Sequence, residues 1–123
     1  MDGVREFYNL NDPTQGQRRD LAPGLSARVF VGDHSMLSLV TFEPNGEGQI
    51  HSHPEEQWGV LLEGDGIRAQ GGEEHSVKAG DFWRTPGGVP HGFRAGPAGA
   101  RILDIFSPPR EAYKKPGAGF AQE

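Results

Sequence analysis

Three of the five histidines occupy positions from which they can act together. His51-Ser52-His53 is an H-x-H pair. In a strand, residues i and i+2 point to one face with adjacent side chains, so two imidazoles can close on one ion. Gln57 follows across a turn at Pro54-Glu55, and His91 comes directly after Val89-Pro90. Neutral imidazole is the commonest protein ligand for borderline divalent metals. The chain has no cysteine, which excludes disulfides and thiolate sites and leaves only nitrogen and oxygen donors. Taken singly, each histidine is an ordinary surface residue. His34 and His75 sit beside turn residues and read as exposed.

A second chemical feature lies near the C-terminus. Ile102-Leu103-Asp104-Ile105-Phe106 places one carboxylate inside an apolar run, with Ile102, Asp104 and Phe106 on one face. Ionised side chains are rarely buried without a partner. If that face looks inward, Asp104 lines a cavity and suits proton transfer; otherwise it is an edge carboxylate, paired with a group such as Arg110. Arg110 follows Ser107-Pro108-Pro109. It is either a surface charge or, at a cavity mouth, a two-pronged donor for a substrate carboxylate.

These side chains must be carried by short strands. Nineteen glycines and ten prolines fall between short apolar runs, the pattern of an all-β sandwich or barrel. Strands are expected over Leu25–Val31, Met36–Phe42, Gln57–Leu62, Ile67–Gln70, Ser76–Val77, Asp81–Arg84, His91–Ala95 and Arg101–Phe106. Glu6–Leu10 has room for a short edge strand. Asn45–Gly48 reads as a loop, Gly64-Asp65-Gly66 as a tight hairpin turn, and Arg110–Lys115 as room for one helical turn. The tail from Pro116 to Glu123 reads as loose. In Gln57–Leu62 the residues Gln57, Gly59 and Leu61 share one face, and Trp58, Val60 and Leu62 share the other. The second face is wholly apolar, so a covering sheet or a second subunit is expected.

The 123 residues make one domain: an N-terminal segment 1–24, a barrel 25–107 and a C-terminal turn and tail 108–123. The net charge of −5 and the absence of a Lys/Arg cluster argue against nucleic acid as partner. The N-terminus lacks a signal-like apolar run and no stretch has the length of a membrane span, so a cytoplasmic location away from membranes is expected.

Two spaced patterns unify these readings. His51-x-His53-x-x-x-Gln57 running to Gly64 resembles the first motif of the cupin family, and Gly80 through Pro86, Gly88 and His91 resembles the second. The resemblance implies an all-β jelly-roll barrel, and with the apolar face of Gln57–Leu62 a dimer is expected. It also implies one divalent ion on His51, His53, Gln57 and His91, with zinc, nickel, manganese and iron(II) all compatible. Gln57 stands where the family usually has glutamate, so the ion would keep its full double charge; Glu55 or Glu56 is the alternative oxygen ligand. The segments H-S-H-P-x-E-Q (51–57) and L-D-I-F-S-P-P-R (103–110) are further similar to small cupins that linearise unsaturated uronates. That likeness implies catalytic roles for Asp104, Phe106 and Arg110 and a carboxylate-bearing small-molecule substrate; the homodimer is the expectation from the apolar strand face. Trp83 and Phe93 are expected core residues that could also wall the site. Two other readings stay open: a metal-dependent dioxygenase, and a non-enzymatic cupin binding a sugar acid.

Overall fold

The computed structural model describes residues 6–120. Residues 1–5 of the N-terminal segment and 121–123 of the tail lie outside them. Eight strands form one antiparallel network: β1 (Gln17–Ala22), β2 (Leu25–Val31), β3 (Met36–Phe42), β4 (Glu47–His51), β5 (Glu56–Gln70), β6 (Glu73–Lys78), β7 (Phe82–Thr85) and β8 (His91–Ser107). A single 3₁₀ turn, Glu111–Lys114, follows where one helical turn was expected.

Two long strands make this a two-layer jelly roll. The first part of β5 pairs with β7 and with the C-terminal half of β8. Its second part pairs with β6 and with the N-terminal half of β8. β3 joins the C-terminal half of β8, and β4 joins its N-terminal half. Thus β5 and β8 bend from one layer into the other. The register shifts between Leu61 and Glu63 and between Gly64 and Gly66 mark the bend. This corrects the sequence expectation of a hairpin at Gly64-Asp65-Gly66. Gly64 has φ +84°, and a Cβ there would collide with the Gly99 carbonyl. The glycines therefore allow two strands to cross closely, where turn chemistry suggested a chain reversal.

The alternation read from the sequence holds. Met36, Ser38, Val40 and Phe42 of β3, Gln57 and Leu61 of β5, and Ile102 and Phe106 of β8 are buried on the inner face. With Leu25, Ala27 and Val29 they pack the interior, including an edge-on contact of Phe42 with Phe93 at 4.9 Å.

The first strand lies at Gln17–Ala22, and Glu6–Leu10 forms none. Its inward residues are Arg19 and Leu21, so an inward arginine hides the strand's pattern. Glu47 and Gly48 belong to β4, not to a loop. The tail is docked as far as Phe120. Gly119 N–H donates to the Asp20 carbonyl, and Arg19 donates to the carbonyls of Gly119 and Ala118 at 2.8 and 3.0 Å. Among the described residues, no helix is long and apolar enough to cross a membrane.

Candidate metal centre

His51 ends β4 and His91 begins β8, and the two are direct cross-strand partners. His53 lies on the segment leading into β5, where Gln57 is the second residue. Two loops are stitched together to bring these parts close. Gly88 N–H donates to the His53 carbonyl at 2.8 Å, and a Cβ at Gly87 would collide with the Pro54 carbonyl. The three rings converge, with centroids 4.6 Å apart for His51 and His91, 5.0 Å for His53 and His91, and 6.0 Å for His51 and His53.

One ring nitrogen of each histidine is engaged the same way. Nδ1 of His51, His53 and His91 lies 3.0, 3.1 and 2.9 Å from the backbone carbonyls of Gln49, Glu55 and Val89. A carbonyl only accepts, so each Nδ1 carries the proton and each Nε2 keeps its lone pair. One nitrogen from each ring falls in a cluster within 4.8 Å. His91 Nε2 is buried with no hydrogen-bond partner. His53 Nε2 lies 2.9 Å from Gln57 Oε1. With the proton on Nδ1, both of these atoms are acceptors, a pairing that a shared cation would relieve. Burial, opposed by the backbone carbonyls, holds His51 down to about 4 and His91 to about 3, and lowers His53 as well. Arg110 and Arg68 add to the depression, so the imidazoles are neutral as ligation requires. The donor set fits a divalent ion.

Around the histidines the inner-face residues lie in rows. Ser38, Asp104, Gly59 and Trp83 are successive partners across β3, β8, β5 and β7; Met36, Phe106, Gln57 and Thr85 form the next row. Gly59 has a steric reason. A Cβ there would sit 2.5 Å from Trp83 Nε1 and 3.0 Å from Asp104 Oδ1. Asp104 borders a cavity of about 40 Å³ that also touches Ser38, His51, Gln57, Arg68, His91 and Phe106. Burial raises its carboxyl to about 6, against the pull of Arg68, a hydrogen bond from Gln57 and the charge of Arg110. A glutamine can ligate through its carbonyl and donate through its amide, which glutamate cannot.

Phe106 lies edge-on to His53 at 5.4 Å. Arg110 is buried and does not border the cavity: its guanidinium lies 4.3 Å from the Tyr113 ring centre and 5.7 Å from that of Phe106, with Glu55 at 3.8 Å. Glu55 stands between His53 Nδ1 and Arg110, and Glu56 pairs with Arg84. Neither carboxylate joins the histidine cluster; Gln57 is the nearer oxygen donor. Trp83 and Phe93 stack at 6.4 Å, and Phe93 reaches the cavity. His75 is exposed beside Glu73.

Among the wall residues that sequence reasoning missed are Ser38, Arg68, Tyr113 and Phe120. Reading β5 as two strands lost the parity that turns Arg68 inward. Phe120 belongs to the tail read as loose, yet its ring lies 4.5 Å from that of His51.

A family model described as a cupin domain matches residues 38–106. The chain is 34% identical over 98 residues to a dimethylsulfoniopropionate lyase, DddW, of Ruegeria pomeroyi; the match takes in 78% of this chain and 62% of that protein. The chain thus spans less than two thirds of that relative's length. Among solved structures, a RmlC-like cupin from Shewanella frigidimarina is 27% identical, with a TM-score of 0.77 over 89% of this chain and 96% of the other. KdgF from a Halomonas species is 23% identical, with a TM-score of 0.78 over 89% of this chain and 98% of the other.

Proposed function

The chain belongs to the cupin family, and from that premise we propose that it is a metal-dependent enzyme converting cyclic 4,5-unsaturated uronates to linear 4-deoxy-5-keto uronates. The observation that carries this reading is the junction of two features in one cavity: a convergent three-histidine cluster with Gln57, and a half-buried Asp104 on the cavity wall whose carboxyl is raised toward neutral pH.

His51, His53, His91 and Gln57 would hold one divalent ion. When bound, it supplies Lewis acidity at a substrate oxygen. The remaining chemistry belongs to the chain. Opening the hemiacetal breaks the bond between C1 and the ring oxygen and removes the anomeric hydroxyl proton. The enol left at C5 becomes a ketone when C4 gains a proton, so atoms balance without redox change. A carboxyl near neutrality can both accept and return a proton, and Asp104 is assigned that role. Phe106 packs against the sugar. Arg110, packed against Phe106 and Tyr113 outside the cavity and partly offset by Glu55, is assigned a supporting role: it adds positive charge behind the wall and holds Phe106 in place. The working unit is proposed to be a homodimer.

The test is turnover of unsaturated galacturonate monomer by metal-loaded protein, with loss of the ring alkene followed by NMR. Large acceleration over the uncatalysed conversion is expected. Asp104→Asn should abolish it at unchanged metal content, and Arg110→Ala should weaken it. No acceleration with metal bound would remove the uronate reading. A second reading comes from the named relative: lysis of dimethylsulfoniopropionate, also a carboxylate whose cleavage needs proton transfer. Its consumption in the same NMR assay, with the uronate untouched, would select it.

A further inference from the structure

Arg68 is the charged group in the cavity wall that neither the histidine cluster nor Asp104 explains. It lies on β5 opposite Phe93, is 5% exposed, and borders both the central cavity and a larger cleft of about 590 Å³ between β6 and β7. Its hydrogen-bond partners are neutral. Nη2 donates to Thr85 Oγ1 at 2.8 Å and Nε to Gln70 Oε1 at 3.3 Å, and Thr85 Oγ1 in turn donates to Gln70 Oε1 at 2.7 Å. The Trp83 ring backs the guanidinium at 5.2 Å. These contacts fix the plane of the fork without neutralising it. Among the described residues no carboxylate lies within 4.0 Å of Arg68; Asp104 acts on it only through space. Buried charges are ordinarily paired, because an uncompensated one pays its full desolvation cost.

We propose that Arg68 seats the ligand's carboxylate, at the junction of the central cavity and the β6–β7 cleft, with Thr85 and Gln70 orienting the fork. A carboxylate fits the two-pronged geometry of a guanidinium held in this way. The inference deepens the proposed function: in the uronate reading, the group held is the sugar acid's carboxylate. It also explains how an arginine can bind substrate at this site while Arg110 lies behind Phe106 and Tyr113.

The experiment is calorimetric titration of metal-loaded protein with acetate and with D-galacturonate, with galactose as neutral control, in wild type, Arg68→Met and Arg68→Lys. Both carboxylates are expected to bind wild type and to bind Arg68→Met at least tenfold more weakly. Galactose should not discriminate. Arg68→Lys keeps the charge and loses the fork, so it should fall between the two and serve if the methionine variant does not fold. Thermal unfolding supplies an independent reading. Without ligand, Arg68→Met should melt no lower than wild type, since a buried unpaired charge has been removed, and acetate should no longer raise its midpoint. Undiminished acetate binding in both variants would overturn the proposal, as would failure of any carboxylate to bind wild type. Acetate binding that depends on Arg68, with no turnover of the unsaturated uronate, would uphold it and remove the uronate reading alone.

Discussion

At the scale of residues, the type and spacing of the candidate metal-binding side chains were legible because they are local. The H-x-H pair, Gln57 and His91 each sit at a chain turn or strand end that the Gly/Pro pattern marks, and the structure gathers them. Substituting His91 by Ala should remove most bound metal after dialysis, measured by elemental analysis; loss of an outer-shell partner alone typically costs 10–100-fold in affinity. Full occupancy in that variant would take His91 out of the ligand set. Gly59 makes a different kind of prediction. Its missing side chain leaves room for Trp83 Nε1 and Asp104 Oδ1. Gly59→Ala should therefore destabilise the fold by about 1–3 kcal/mol, as overpacking does, seen as a lower urea midpoint at unchanged slope. An unchanged midpoint would mean that Trp83 moves aside freely. Arg68 was not legible, because its inward direction depends on two bulges that no residue-level rule places.

At the scale of elements, strand positions were readable from alternation, and strand continuity was not. β5 and β8 each read as two pieces because glycines and a proline interrupt the apolar pattern. The chain continues through them by bulging, since these strands must serve both layers. β1 was missed for a related reason: its inward Arg19 looks like a solvent-facing residue. The structure gives that arginine a tail to hold. It donates to the carbonyls of Ala118 and Gly119 and stacks on Tyr113 at 4.5 Å. Ala118 and Gly119 then lie beside Asp20 of β1, and Phe120 reaches the cavity wall against His51. Substituting Arg19 by Ala should release this strap and speed tryptic cleavage between Lys114 and Lys115 severalfold, read by mass spectrometry. Phe120→Ala should let a chelator strip metal severalfold faster, with the midpoint of unfolding little changed. Equal stripping rates in wild type and variant would show that the ring does not limit access. A cavity of about 40 Å³ holds water-sized molecules, whereas ligand pockets usually span ~300–1,000 Å³. A sugar-sized ligand therefore needs such an opening, or entry through the β6–β7 cleft.

At the scale of the whole molecule, the outer face of the larger layer is unusually apolar. Trp58 and Val60 of β5 lie across from Ile105 and Leu103 of β8, which lie across from Leu37 and Leu39 of β3; Val60 also faces Phe82 of β7. The N-terminal segment covers one flank, where Tyr8 meets Phe30 at 5.0 Å. Arg28 and Arg101 fasten it by donating to the Leu10 carbonyl. At the other flank Trp58 is 42% exposed and Phe82 69%. A contiguous apolar patch of this kind on a sheet face is a place for association. A net charge of −5 is too small to oppose pairing of two chains. The second copy expected from the alternation of Gln57–Leu62 would thus cover Trp58 and Phe82. A stable pair needs about 800 Å² buried on each partner, more than two side chains provide, so the adjoining Val60 and Ile105 must take part. Light scattering should give twice the 13.3 kDa of one chain. Trp58→Glu should halve that mass while leaving metal content intact, because the inner face is untouched. A wild-type mass of 13.3 kDa would instead leave the exposed aromatics without a covering copy and remove the homodimer from the proposed function.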